Sequence, residues 1–459
     1  MTTSADLKTD SLRAALTGGA LVTDPDVVDG YSRDRADLIP GGMPLALVRA
    51  TGLDDVVATL RWAHKNRVPV VPRGAGTGLA GGAAALYGCL ILSLAAMAAI
   101  REINPDDQLA VVEPGVINAE ISRAAADYGL FYAPDPGSSE TSTIGGNLAT
   151  NAGGLRCVKY GVTRDAVLGL EVVLADGRVL HTGGRTVKSV AGYDLTRLMV
   201  GSEGTLGVIT AATLRLRPRP AADPITFVAS FSQLPAAGAA VSAIVRAGLA
   251  PSLLELLDNT TINAIEDYRR MGLDRSATVL LIGQADDVDA DRQVDAMVAC
   301  CEQSGADLVV RSTNAEEANM LLTARRLAGE AVMAAGPTII EDVGVPRSRL
   351  ADLLAAIGKV AADTGLTIAT VGHAGDGNLH PTLILRDRAP ATLALAEDAA
   401  ERICRAALAL GGTITGEHGV GELKRGWLTG ELDETSLATH RAIKDALDPR
   451  GILNPGRGF

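Results

Sequence analysis

The run Arg217-Pro-Arg-Pro-Ala-Ala-Asp-Pro224 constrains this chain more than any other feature, because three of its eight residues are proline. None of the three can donate a ladder hydrogen bond, so no interior strand can pass through, and the chain must break there. The texture changes at the same place. Before it come short apolar strands, Gly-rich turns and a few helices, with Asp54 to Lys65 carrying apolar residues at helical spacing. Beyond it, Ala-rich amphipathic helices are predicted over Pro235 to Ala247, Asp289 to Ser304, Arg347 to Thr364 and Pro390 to Leu410, alternating with strands such as Thr278 to Gly283. A last helix is expected over Ser436 to Leu447, ahead of a turn-rich tail. These patterns predict an α+β protein, and 459 residues supply core for two or three domains.

A net charge of -12 argues against nucleic acid, since phosphate binding needs a basic face. Five cysteines without CxxC spacing exclude a readable iron-sulfur or zinc-ribbon motif and suit a reducing cytoplasm. The start of the sequence lacks the basic-then-apolar layout of a signal peptide. Ala83 to Ile100 is uncharged for 18 residues, the lower limit of a membrane span. Gly88 and Ser93 interrupt it, and Cys89 to Leu94 reads as a buried strand, so no membrane span is expected.

Three glycine-rich segments crowd the first half. The strand-like Val68 to Val71 runs into Pro72-Arg-Gly-Ala-Gly-Thr-Gly-Leu-Ala-Gly-Gly82. Glycines at this density leave main-chain N–H groups uncovered, as in a nest that binds a pyrophosphate. Gly76-x-Gly78-x-x-Gly81 matches the Rossmann fingerprint in letters, but the residues after Gly81 do not read as the helix that fingerprint requires. The second segment is Pro134-Asp-Pro-Gly-Ser-Ser139 with Thr143 to Gly154, and the third is Val200-Gly-Ser-Glu-Gly-Thr-Leu-Gly-Val-Ile-Thr210. Small residues and hydroxyls there let the backbone approach a flat, extended ligand.

The second half carries Gly372-His-Ala-Gly-Asp-Gly-Asn-Leu-His380. Asp-Gly between apolar runs predicts a two-residue hairpin turn at Asp376-Gly377, which sets His373 opposite His380 on one face. Facing imidazoles about 5 Å apart at Cβ can chelate a metal. Gly416-Glu-His-Gly-Val-Gly421 adds Glu417 and His418, and its glycines permit an irregular backbone that aims both at one place. Two histidines and a carboxylate form a borderline-metal donor set with positions open to substrate.

These segments, with Gly192-Tyr-Asp-Leu195 and Leu453-Asn-Pro-Gly456, stand in an order that resembles the FAD-linked oxidase family with a type-4 C-terminal domain. That family includes the glycolate oxidase flavoprotein subunit, D-lactate dehydrogenase and D-2-hydroxyglutarate dehydrogenase. The resemblance implies the fold of the vanillyl-alcohol oxidase and p-cresol methylhydroxylase (PCMH) group. A PCMH-type FAD-binding domain of two subdomains would span 1–219, an α+β cap domain with an antiparallel sheet 220–425, and a segment returning to the FAD domain 426–459.

The resemblance also implies roles. Pro72, Arg73, Gly74, Ala75, Gly76, Thr77, Gly78 and Leu79 would hold the FAD pyrophosphate. Pro136, Gly137, Ser138, Ile144, Gly145 and Asn147 would meet the flavin region, with Gly154, Glu203, Ile209 and Asn454 nearby. Thr77 stands where some members tether FAD through histidine, so FAD would be non-covalent. His373, His380 and Glu417 would bind a divalent metal, zinc first, with manganese or iron as alternatives. His418 would be the base that takes the hydroxyl proton of a D-2-hydroxy acid while a hydride leaves for flavin N5. Arg325, in the helical Leu321-Leu-Thr-Ala-Arg-Arg326, would hold the substrate carboxylate, with Arg326 the competing choice.

Gly329, Ile340, Glu341 and Thr382 depart from the residues with which D-2-hydroxyglutarate enzymes grip a distal carboxylate. Lactate, glycolate or a bulkier 2-hydroxy monocarboxylate is therefore expected. With no cluster or haem motif in the chain, electrons would pass to a separate acceptor: a quinone, a cytochrome, an electron-transfer flavoprotein or a partner subunit. The enzyme would be cytoplasmic, or peripheral to a membrane through its acceptor, and a homodimer is compatible. From residues alone, a flavin-free metal hydrolase or a non-catalytic electron-relay flavoprotein subunit are the alternatives.

Overall fold

The computed structural model describes residues 6–36, 38–220 and 222–458. The chain divides into two compact units. The first runs to Gly153, resumes over Gly161–Arg219 and takes in the chain from Glu417 onward; the second comprises Gly154–Tyr160 and Pro220–Gly416. The change of unit after Arg219 falls inside the proline run. Arg217–Pro218 still pairs with Leu130–Phe131, but as a two-residue ribbon rather than an interior strand.

The first unit holds two larger sheets. In one, the strands Ala46–Arg49, Leu90–Ser93 and Val70–Arg73 run parallel, with Ala20–Val22 antiparallel at the edge. Parallel strands are covered on both faces, so they read as continuous apolar runs. Leu90, Ile91 and Leu92 are fully buried, which makes the uncharged stretch around them a core strand. The other is a five-stranded antiparallel sheet built round Val208–Arg215 and Val167–Val173. The helix Leu53–Asn66 matches the predicted one within a residue at either end. No helix follows the first Gly-rich loop: the chain goes from Val70–Arg73 to Leu90–Ser93 without one, which rules out the Rossmann reading.

Asp55 ties that helix to two neighbouring loops. Its carboxylate accepts from Thr17 N (2.8 Å), Thr17 Oγ1 (3.1 Å), Gly18 N (3.2 Å), Thr51 N (3.0 Å) and Thr51 Oγ1 (3.0 Å). Burial pushes this carboxyl up, but the bonds from Thr51, Thr17 and Gly18 outweigh it and hold it below its ordinary value. A depressed pKa gives stability that is complete above the unfolded value near ~4 and is lost as the pH falls below it. Asp55→Asn should cost about 2 kcal/mol at neutral pH. Its thermal midpoint should also fall less steeply than wild type in acid, which melting curves between about pH 3 and 7 would show.

The second unit is an eight-stranded antiparallel sheet. Its strands Leu253–Asp258, Thr367–His373 and Asn378–Ile384 are adjacent. The predicted helices appear as Leu234–Arg246, Ala290–Gln303, Leu350–Thr364 and Pro390–Ala409, with Arg347–Arg349 a separate 3-10 turn. The helix Ala315–Ala334 packs against Asn259–Tyr268.

The hairpin register corrects the sequence expectation. His373 pairs with Asn378, and His380 with Val371, so a four-residue loop, 374–377, replaces the two-residue turn. A type I′ turn needs positive φ at both central residues, yet among Asp376 and Gly377 only Gly377 (φ 78°) has it. Instead, the amides of Asp376 and Gly377 both fold onto His373 O (3.0 Å each), and Gly375 N donates to Leu254 O (3.0 Å). The histidines are diagonal rather than opposite. The two-residue period keeps them on one face.

Candidate functional site

In the second unit the sheet register builds a buried polar group around the histidines. Glu255, on the apolar strand Leu253–Asp258, stands directly across from His373. Its Oε1 lies 2.8 Å from His373 Nδ1, and its Oε2 accepts from Arg325 Nε at 2.7 Å. Glu255 is fully buried. Burial would push its carboxyl up, but His373 and Arg325 outweigh it and hold the group below its ordinary value.

His380 has a counterpart in Asp342. Asp342 Oδ1 is 3.6 Å from His380 Nδ1 and accepts from Asn378 Nδ2 at 2.7 Å, while Oδ2 accepts from Thr415 Oγ1 at 2.8 Å. The two imidazoles are buried, edge to face, with ring centroids 5.1 Å apart. Each thus turns Nδ1 toward a buried carboxylate, and the ligating nitrogen of each would be Nε2. At His373 this is the carboxylate–histidine hydrogen bond by which proteins fix the tautomer and raise the basicity of metal-binding imidazoles; at His380 the carboxylate stands at ion-pair distance, beyond a hydrogen bond. The donor chemistry fits a borderline divalent ion.

Sequence reasoning reached His373, His380 and Arg325 but missed Glu255 and Asp342. The signal was present. A lone carboxylate inside Leu-Leu-Glu-Leu-Leu, and a Glu-Asp pair directly after Ile339-Ile340, are both acids where the pattern asks for apolar residues. Of the residues that depart from the hydroxyglutarate pattern, Ile340 and Thr382 are paired across the sheet, and a Cβ added at Gly329 would meet open space.

In the first unit the three Gly-rich segments and the tail converge. A Cβ on Gly74 would come 2.1 Å from Thr143 Oγ1, so the first loop abuts the start of the helix Ile144–Thr150. Asn147 donates to Asn118 Oδ1 and Asn118 to Pro134 O, both at 3.0 Å, which fixes the Pro134 to Ser138 run to the same helix. Gly201 N and Glu203 N donate to Leu148 O (2.9 Å) and Ala149 O (2.8 Å). Asn454 Nδ2 bonds Gly82 O and Glu203 O, both at 2.8 Å. Ile209 is buried in the core with Ile144 and Leu148. Gly154, by contrast, belongs to the second unit.

Arg73 does not reach outward from its loop. Its guanidinium donates to Ala83 O at 3.1 Å, lies 5.7 Å from the Tyr31 ring, and is where a Cβ on Gly76 would fall. The donors this loop offers are main-chain ones. Among the described residues, nothing accepts from the amides of Gly74 to Leu79, and Gly76 has φ 72°, the backbone of an anion nest. Those residues fit a pyrophosphate.

Glu417 and His418 also lie in the first unit, on an irregular stretch where Gly419 and Gly421 have φ of 87° and 53°. His418 Nε2 is 3.9 Å from Glu417 Oε1. Gly153 leaves room for the carboxylate: a Cβ there would sit 2.3 Å from Glu417 Oε2. Glu203 is partly buried; burial pushes its carboxyl up, against the hydrogen bonds of the Val420 and Gly421 amides. Among the described residues, no helix is long and apolar enough to cross a membrane.

Comparison with known proteins accounts for both units. The FAD binding domain profile matches residues 44–183, and that of FAD linked oxidases, C-terminal domain, matches residues 222–457. The glycolate oxidase subunit GlcD of Bacillus subtilis is 46% identical over 420 residues, which cover 91% of this chain and 89% of that one. The D-lactate dehydrogenase of Archaeoglobus fulgidus is 34% identical over 416 residues, 90% of either chain. The structure of p-cresol methylhydroxylase with bound substrate superimposes with a TM-score of 0.82 over 99% of this chain and 97% of that one, at 18% identity, a likeness of fold. The chain belongs to the FAD-linked oxidase family, as an FAD-binding oxidoreductase of α+β, PCMH-type fold.

Proposed function

We propose that the protein oxidises a D-2-hydroxy acid to the 2-oxo acid, with non-covalent FAD in the first unit and a divalent metal, zinc before manganese or iron, on His373, His380 and Glu417. The observation that carries the metal reading is the pair of buried, edge-to-face imidazoles, with the Glu255 carboxylate hydrogen-bonded to Nδ1 of His373 and that of Asp342 3.6 Å from Nδ1 of His380. Chain continuity supports Glu417 as the third donor: it follows Gly416, where a Cβ would come within 2.3 Å of Asn378 Nδ2, on the strand that carries His380. The names of the Bacillus and Archaeoglobus relatives support a hydroxy acid as substrate.

Bound FAD accepts the two electrons of the oxidation, and a bound divalent ion lowers the pKa of the substrate hydroxyl and fixes the α-carbon's orientation. The chain's own side chains do the rest. His418 takes the hydroxyl proton, a role for which an imidazole is suited at neutral pH. Arg325 binds the substrate carboxylate: Glu255 engages its Nε, and a carboxylate would be taken by the Nη groups of the fork. Ile340, Thr382 and Gly329 offer no cation to a second carboxylate, which favours a monocarboxylate such as lactate, glycolate or a bulkier 2-hydroxy acid. With no cluster or haem motif in the sequence, electrons leave to a separate acceptor, a quinone, cytochrome, electron-transfer flavoprotein or partner subunit, and the name of the Bacillus relative as a subunit supports the last.

The test is an anaerobic screen. The purified yellow protein should bleach with D-2-hydroxy monocarboxylates and at least about tenfold more slowly with D-2-hydroxyglutarate, a difference typical of an unpaired charge in a binding site. Removal of the metal with a chelator should slow bleaching by every substrate, and restoring the ion should recover it. Unchanged bleaching by a preparation shown to be metal-free would rule out the metal's role.

A further inference from the structure

His418 rides on a stretch without regular secondary structure, so something other than a helix or a sheet must hold it still. Several groups of the first unit do so. Glu203 Oε1 accepts from Val420 N at 2.8 Å and its Oε2 from Gly421 N at 2.7 Å, so one carboxylate grips two successive amides, beginning two residues after His418. A Cβ on Gly421 would lie 1.9 Å from Ala80 O, and Glu422 N and Leu423 N both donate to that carbonyl (2.9 and 3.1 Å). Glu203 is itself a fixed post. It has φ 52°, unusual for a residue with a side chain, its amide donates to Ala149 O at 2.8 Å, and Asn454 bonds its carbonyl.

We propose that Glu203 is the positioning residue for the catalytic base: its carboxylate clamps the amides of Val420 and Gly421 and thereby fixes His418 relative to the cofactor loop that contains Ala80. The side chain that the sequence suggested would lie near the flavin thus acts on the catalytic loop. The proposal rests on His418 being the base.

The test uses four flavin-loaded proteins: wild type, Glu203→Gln, His418→Asn and the double variant, with Glu203→Asp as the conservative control. Gln has one acceptor oxygen for two amides, so one bond is lost. Glu203→Gln should keep its FAD, lower the rate of anaerobic flavin reduction per bound flavin by about ten- to a hundredfold, and leave KM nearly unchanged, as expected for a displacement on the order of 1 Å. Glu203→Asp should recover part of the rate. In the His418→Asn background the same substitution should cost little, because there is no base left to misplace. An undiminished cost in that background, or a rate that falls only in proportion to lost flavin, overturns the proposal. A His418→Asn variant as fast as wild type overturns the base reading itself, and is told apart because His418→Asn alone is then normal.

Discussion

Glu255→Leu should deprive the protein of its divalent metal and of much of its stability at once. Among the described residues, Glu255 is the carboxylate set against both His373 Nδ1 and Arg325 Nε. Removing it leaves a partly buried guanidinium and a buried imidazole without their shared acceptor; breaking one partner of a fully buried charge pair costs about 3–5 kcal/mol, which sets the upper end of the loss. Loss of the carboxylate behind a ligating histidine lowers metal affinity by about 10–100-fold. The two effects separate in Glu255→Gln, which keeps the volume and one acceptor oxygen: it should melt closer to wild type and still bind metal weakly. Metal content after dialysis against a graded chelator, with melting curves for the same samples, reads both. Wild-type metal affinity in Glu255→Leu would sink the assignment of His373 as a ligand.

What could be read in the sequence and what could not divide along physical lines. Helices such as Pro390–Ala409 were legible because their 3.6-residue apolar period is local, and the proline run was legible because a missing N–H is a property of the residue itself. The shared face of His373 and His380 was legible too, since it depends only on the two-residue period of a strand. The turn between them was not. Asp376 avoids positive φ because the 374–377 loop bonds to His373 O and Leu254 O, and the latter lies on a strand more than a hundred residues away in sequence. Glu255 and Asp342 were visible as acids in apolar runs, but their partners are known only once the sheet is in register. Glu203 shows the limit most plainly. Its place beside a glycine-rich ligand loop was readable, but its bonds to amides 217 and 218 residues further along were not.

His418→Asn should lower the rate of flavin reduction by about 10²–10⁴-fold, the range spanned by loss of a general base. Asparagine fills similar space and can still hydrogen-bond, but it cannot take a proton near neutral pH. FAD content should be unchanged, since the groups that fit the pyrophosphate are the main-chain amides of Gly74 to Leu79, which the substitution leaves in place. The pH profile gives the finer test. In wild type, kcat/KM should fall on the acid side as the base is protonated and level above it; in His418→Asn that limb should vanish while any limb due to another group stays. His373→Asn supplies the contrast, for it should lose metal, whereas His418→Asn should retain it. A His418→Asn enzyme that keeps the wild-type rate and acid limb would move the proton to another residue, and the one-carboxylate grip of Glu203 on the amides of Val420 and Gly421 would then need a different purpose.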